Sequence, residues 1–131
     1  MLDASDADRQ LALVRRSGAL PPAAARLLRA AHRLEEGATG STRREAFRVT
    51  RLLLGGLAAA GYSIGAMAAV LGISTGTVRS RAQRGPIGCY VLASLLAVDV
   101  EALLRSCARA GVAVVDGHVH SDDLVRVLDA G

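Results

Sequence analysis

The sequence predicts a mainly α-helical fold, a helix-turn-helix bundle with a small C-terminal β-hairpin. Three observations carry that expectation. Apolar residues recur at helical spacing along most of the 131 residues. Glycine and proline divide the chain into pieces of helix length. The one clearly β-prone stretch flanks an Asp116-Gly117 step close to the C-terminus. The length suits one domain, or two small modules sharing a core, and a composition of 51% hydrophobic and 21% charged residues argues against wholesale disorder. Aromatics at 2%, with no Trp, exclude a stacking platform for single-stranded nucleic acid.

The first helix is expected to open after Ser5 or Asp6, either of which can cap it, and to run through Leu11 and Val14 to Gly18. Pro21-Pro22 stop one element and start the next. From Pro22 to Glu36, Leu27, Leu28, Ala31 and Leu34 follow the helical period with Arg26, Arg29 and Arg33 on the remaining arc, and Gly37 ends the helix. Residues 37–41 read as a linker. Thr42 and Glu45 form a capping-box pair for a third helix that carries Phe47, Leu53, Leu54 and Leu57 and ends near Gly61. Residues 52–78 are uncharged and long enough to raise a membrane span, but Gly55, Gly56, Gly61, Gly65 and the Tyr62-Ser63 break read better as two buried helices joined by a turn.

The segment SIGAMAAVLGISTGTVRSRAQRG has what a helix-turn-helix needs: a small residue at the helix crossing (Ala68), a turn residue tolerant of a left-handed backbone (Gly72), and apolar anchors at Leu71, Ile73, Val78 and Ala82. Ser74 or Thr75 caps the second helix, which is expected to reach about Arg84 before Gly85-Pro86 end it. The run LGISTGTVRSRAQR resembles the helix-turn-helix of sigma-factor region 4 and of bacterial response regulators. Two features set the chain apart from a full sigma factor: Ala82 stands where a larger Leu is usual, and no promoter −10 reading region lies upstream.

A shift of twenty-five residues aligns Ala68, Leu71, Gly72, Ile73, Val78, Ala82 and Arg84 with Ala93, Leu96, Ala97, Val98, Leu103, Cys107 and Arg109. YVLASLLAVDVEALLRSCARAG is therefore a second unit of the same spacing. Two short β-prone stretches, Val112–Val115 and His118–His120, then flank Asp116-Gly117, and Ser121 caps a last helix with Leu124, Val125, Val127 and Leu128 apolar. The order of elements is winged-helix-like, and residues 90–128 resemble the excisionase and MerR-type DNA-binding domain.

Charge divides the chain in the same places. All sixteen basic residues are Arg; residues 42–86 hold seven Arg and one Glu, residues 1–41 six Arg and five acids, and residues 87–131 three Arg and six acids. The expected organisation is thus N-terminal covering or dimerisation helices (1–41), a basic helix-turn-helix (42–86) and a degenerate winged-helix-like unit (87–131). Acids at Asp99, Glu101 and Asp116 would repel phosphate in the last unit. DNA contacts are expected from Ser74, Thr75, Gly76, Thr77, Arg79, Ser80, Arg81, Gln83 and Arg84. In this assignment Arg79 reads guanine, Gln83 reads adenine, and Arg81, Arg84 and the helix N-terminus hold phosphates.

No catalytic set stands out, so no enzyme is expected and no cofactor is needed. His118 and His120 point to one side of a strand near Asp116, Asp122 and Asp123, but the spacing does not supply the third and fourth ligands of a metal site. Cys89 and Cys107 lack CxxC spacing and read as buried thiols in a reducing cytoplasm, and the acidic start is unlike a signal peptide. The expected function is sequence-specific binding of double-stranded DNA by a small bacterial transcriptional regulator or a phage or mobile-element control protein. The alternative is a protein interaction module that docks on RNA polymerase, another regulator or a second copy of itself. Residues 6–36 would either cover the helix-turn-helix core or form the two-fold surface of a homodimer.

Overall fold

The computed structural model describes residues 19–131, so the helix expected between Ser5 and Gly18 lies outside the described residues. The described chain is mainly helical, with a two-stranded antiparallel sheet toward the C-terminus. Its elements are α1 (Pro22–Gly37), α2 (Gly40–Ala59), α3 (Ile64–Leu71), α4 (Thr75–Arg81), β1 (Pro86–Gly88), α5 (Cys89–Leu96), α6 (Val100–Ala110), β2 (His118–His120), a 3-10 turn (Ser121–Asp123) and α7 (Leu124–Ala130). One hydrophobic core joins them, with Leu28 of α1, Leu53 and Leu57 of α2, Met67, Val78, Ile87, Leu92, Val119 and Leu124 all excluded from solvent.

Helix α1 buries Ala24, Leu28, Ala31 and Glu35 along one stripe, flanked by Ala25 and Leu27. Leu34, expected on that face, is instead 44% exposed while Glu35 is only 7% exposed. At 100° per residue position 35 falls on the line of 24, 28 and 31, whereas position 34 falls on its edge near the helix end. Helix α1 packs on α2, α3 and α5, so its apolar face is covered within the chain. Helix α2 opens two residues before the expected capping box. Gly40, at φ +60°, turns the chain into the helix, Thr39 precedes it without a side-chain cap, and Thr42 and Glu45 sit exposed in its first turns.

Two helix pairs follow, built alike. Gly72 closes the first with φ 67° and ψ 33°, and Ala97 closes the second with φ 57° and ψ 42°. The Ile73 N–H donates to the Ala68 carbonyl at 3.2 Å, and the Val98 N–H donates to the Ala93 carbonyl at 3.0 Å. These are equivalent bonds twenty-five residues apart, so the internal repeat is a repeat of backbone geometry. Ala68, Leu71 and Val78 are buried and Ile73 and Ala82 half-buried, as their anchoring role requires.

Asp116 and Gly117 form the tight turn that their sequence dictates, both at positive φ, and Val115 and His118 exchange backbone hydrogen bonds at 2.9 and 3.0 Å. Beyond that single bridge the arms part. His118–His120 pairs with Pro86–Gly88 instead of Val112–Val115, placing Pro86 opposite His120, Ile87 opposite Val119 and Gly88 opposite His118. Ile87 and Val119 are a fully buried cross-strand pair, whereas Ala113, Val114 and Val115 are exposed. Val112 is held at the end of α6, its N–H donating to the Cys107 carbonyl at 2.9 Å. Cross-strand burial therefore decides the partner. Among the described residues no helix is long and apolar enough to cross a membrane.

Candidate nucleic-acid interface

Helix α4 is anchored by Val78, which has no exposure, and Ser74 caps it: the Thr77 N–H donates to the Ser74 hydroxyl at 3.1 Å. The opposite face, with Thr75, Gly76, Arg79 and Ser80, is exposed and carries no acid. Its hydroxyls are partly engaged within the helix. Ser74 Oγ lies 2.8 Å from Thr77 Oγ1, and the Ser80 hydroxyl donates to the Thr77 carbonyl at 3.0 Å. Arg79 has no such partner among the described residues, which leaves its guanidinium as the long free donor of this face.

The remaining expected residues do not share that face. The helix ends at Arg81, three residues earlier than its sequence suggests, because Ala82 turns extended and the Gln83 N–H donates to the Arg51 carbonyl of α2 at 3.0 Å. Gln83 thus lies in a crossing segment, off the reading helix. Arg84 lies beyond it in a bidentate pair with Asp122, its Nε donating to Oδ1 at 2.8 Å and its Nη2 to Oδ2. The hydrogen bond from Arg84 holds the Asp122 carboxyl below its usual range. Arg81 turns toward α2 and lies 4.9 Å from the centre of the Phe47 ring, which Arg51 also approaches at 4.2 Å.

That turn of Arg81 completes a cleft of about 590 Å³ between α2 and the end of α4. Arg43, Arg44, Arg48 and Arg51 of α2 line it with Arg81 and Gln83, and Glu35 of α1 is the only acid among the described residues that line it. Four of these arginines were visible in the sequence only as net charge. A spacing of four and three residues (44, 48 and 51) puts three of them on one side of a helix, but the sequence does not say that this side faces α4.

The second helix pair offers no comparable surface. Of the three arginines in residues 87–131, Arg109 donates to the Ala130 carbonyl and the Ser106 hydroxyl, and Arg126 donates to the Ala110 carbonyl and Asp123. Arg105 is exposed beside Glu101 on α6. His118 Nδ1 lies 2.7 Å from the Asp116 carbonyl, and His120 Nδ1 accepts from the Asp122 N–H at 3.1 Å, so each histidine is tied to its own turn. Cys89 and Cys107 are buried free thiols whose acidity is lowered by burial. Set beside known proteins, the chain matches no family model, no curated protein and no solved structure.

Proposed function

We propose that the protein is a sequence-specific double-stranded DNA-binding protein, acting in the bacterial cytoplasm as a small transcriptional regulator or a phage or mobile-element control protein. The observation that carries this reading is the acid-free exposed face of α4, where Arg79 has no partner among the described residues while Val78 fixes the helix from beneath. A helix held in that way and turned outward suits the major groove, with Arg79 donating to guanine O6 and N7. The arginines of α2 beside it add a positive field that draws in a polyanion. The second helix pair serves as packing, since Asp99 and Glu101 oppose phosphate, Arg109 is internally bonded and Arg105 stands beside Glu101.

Binding of the full chain to random duplex and to its own upstream sequence across a salt series tests this. A steep fall of log affinity with log salt, together with tighter binding to one sequence, is expected. No binding to either duplex at low salt would leave the second reading, an interaction module for RNA polymerase or another regulator. Tyr90, 78% exposed, and Val115, 65% exposed, favour that reading because both are large apolar residues on the acidic unit.

A further inference from the structure

We propose that the cleft between α2 and the end of α4 binds a small guanine nucleotide, with its phosphates on the arginines and its base edge on Glu35. The proposal is independent of the DNA reading. It begins from a mismatch inside the cleft. Glu35 is 7% exposed, yet its Oε2 has no hydrogen-bond partner and no arginine comes within ion-pairing distance among the described residues. Arg51 lines the same cleft, and its Nε is likewise buried without a partner among the described residues. Both atoms are closed off from solvent, so an occupant reaches them as the Glu35 and Arg51 side chains turn toward the cleft they line; an unpaired buried polar atom is costly, more so when charged, and that cost favours the turn.

The chemistry of that occupant follows from the groups present. Guanidinium groups are donors only and a carboxylate is an acceptor only. Phosphates satisfy the first and not the second. The sugar-phosphate backbone of duplex DNA presents acceptors alone, and inorganic phosphates offer only a hydroxyl on an anion that the carboxylate repels, so neither completes Glu35. The occupant must join phosphate to a donor edge. Guanine has two adjacent donors, its ring N1–H and its exocyclic amino group, which match the two oxygens of one carboxylate. Adenine sets an amino donor beside a ring acceptor that would face the carboxylate oxygen unfavourably. The cleft volume of about 590 Å³ lies in the range of sites for single small molecules. Phe47, flanked by Arg51 and Arg81, holds two of the guanidinium groups beside the site before any ligand arrives.

Calorimetric titration of the full chain with GDP, ADP and inorganic pyrophosphate, each at one fixed low salt, tests the assignment. GDP is expected to bind at least about tenfold tighter than ADP or pyrophosphate. Arg48→Ala, on an exposed side chain, is expected to weaken all three. Glu35→Gln replaces one acceptor oxygen with a donor and is expected to abolish the preference for GDP over ADP while leaving pyrophosphate as tight or tighter. Failure of GDP to bind, equal affinity for all three ligands, or a GDP preference that survives Glu35→Gln overturns the proposal. Should Glu35→Gln fail to fold by circular dichroism, the three-ligand comparison on the unaltered protein and on Arg48→Ala decides alone.

Discussion

Gly55 lies against the backbone of Gln83, so closely that a β-carbon at position 55 would stand 1.7 Å from the Gln83 carbonyl oxygen. The next residue repeats the relationship, since a β-carbon at Gly56 would stand 2.4 Å from the Ser121 carbonyl oxygen. Two separate stretches of chain cross α2 at this one step. The first crossing ends α4 at Arg81, and the second brings the turn after β2 against the same helix. The two glycines therefore set how the first helix pair and the C-terminal unit meet.

Gly55→Ala is accordingly expected to destabilise by about 1–3 kcal/mol, because backbone on both sides of the contact must move. Gly65→Ala, on the exposed side of α3 with nothing within 4 Å, is expected to stabilise by up to about 1 kcal/mol through helix propensity. Urea denaturation of both variants measures the opposite signs; equal and positive shifts would contradict the close contact at Gly55.

The two left-handed turn residues make a matched pair. Ala97 holds φ 57° with a β-carbon, whereas Gly72 holds φ 67° without one. Ala97→Gly is expected to raise stability by about 0.5–1 kcal/mol and Gly72→Ala to lower it by about 1 kcal/mol. Thermal melts of the two variants check this, and a loss on Ala97→Gly would mean that the turn is not left-handed.

Under the DNA reading, Arg79→Ala should cost about 1–3 kcal/mol on the specific site and relax discrimination at one base pair. Arg84→Ala should behave differently from an ordinary phosphate contact. Its charge is already matched by Asp122, so the salt slope of binding should stay nearly unchanged, instead of falling by about one. Fluorescence anisotropy on specific and random duplexes separates these outcomes.

The same ion pair predicts a pH dependence with a definite sign. Its folded-state carboxyl is held below the ordinary 3.8, so the stabilisation from Asp122 is complete above that value and is lost as pH falls through the lowered folded value. The pair is exposed and its contribution is small. Asp122→Asn should lower stability at neutral pH and lose less of it than the unaltered protein on going from about pH 5 to pH 2. Denaturation midpoints at several pH values measure the difference; parallel curves for the two proteins would rule the pair out as a stabilising contact.

Local rules made the helices and their turns legible. Pro22 and Gly37 bound α1, Gly72 has the left-handed backbone it was assigned, Ser74 is the cap, and the match of Ala68 to Ala93 appears as equivalent hydrogen bonds. Each of these is decided within about five residues of chain, where backbone sterics and capping dominate. The tight turn at Asp116-Gly117 belongs with them.

Where elements end and what they meet was decided over longer range. Nothing near Arg81 in sequence says that Gln83 will bond to Arg51 and stop the helix there, and nothing near His118 says that Ile87 is a better-buried partner than the residues across its own turn. The candidate interface divides along the same line. Arg79 and its exposed neighbours could be named from helical spacing and from the inward demand of Val78. The separation of Gln83 and Arg84 from that face, the pairing of Arg84 with Asp122, and the gathering of four α2 arginines with Arg81 around a buried Glu35 depend on tertiary packing. Periodicity assigns a residue to one side of its own helix, but which neighbour covers that side is settled by burial and backbone hydrogen bonding between segments distant in the chain.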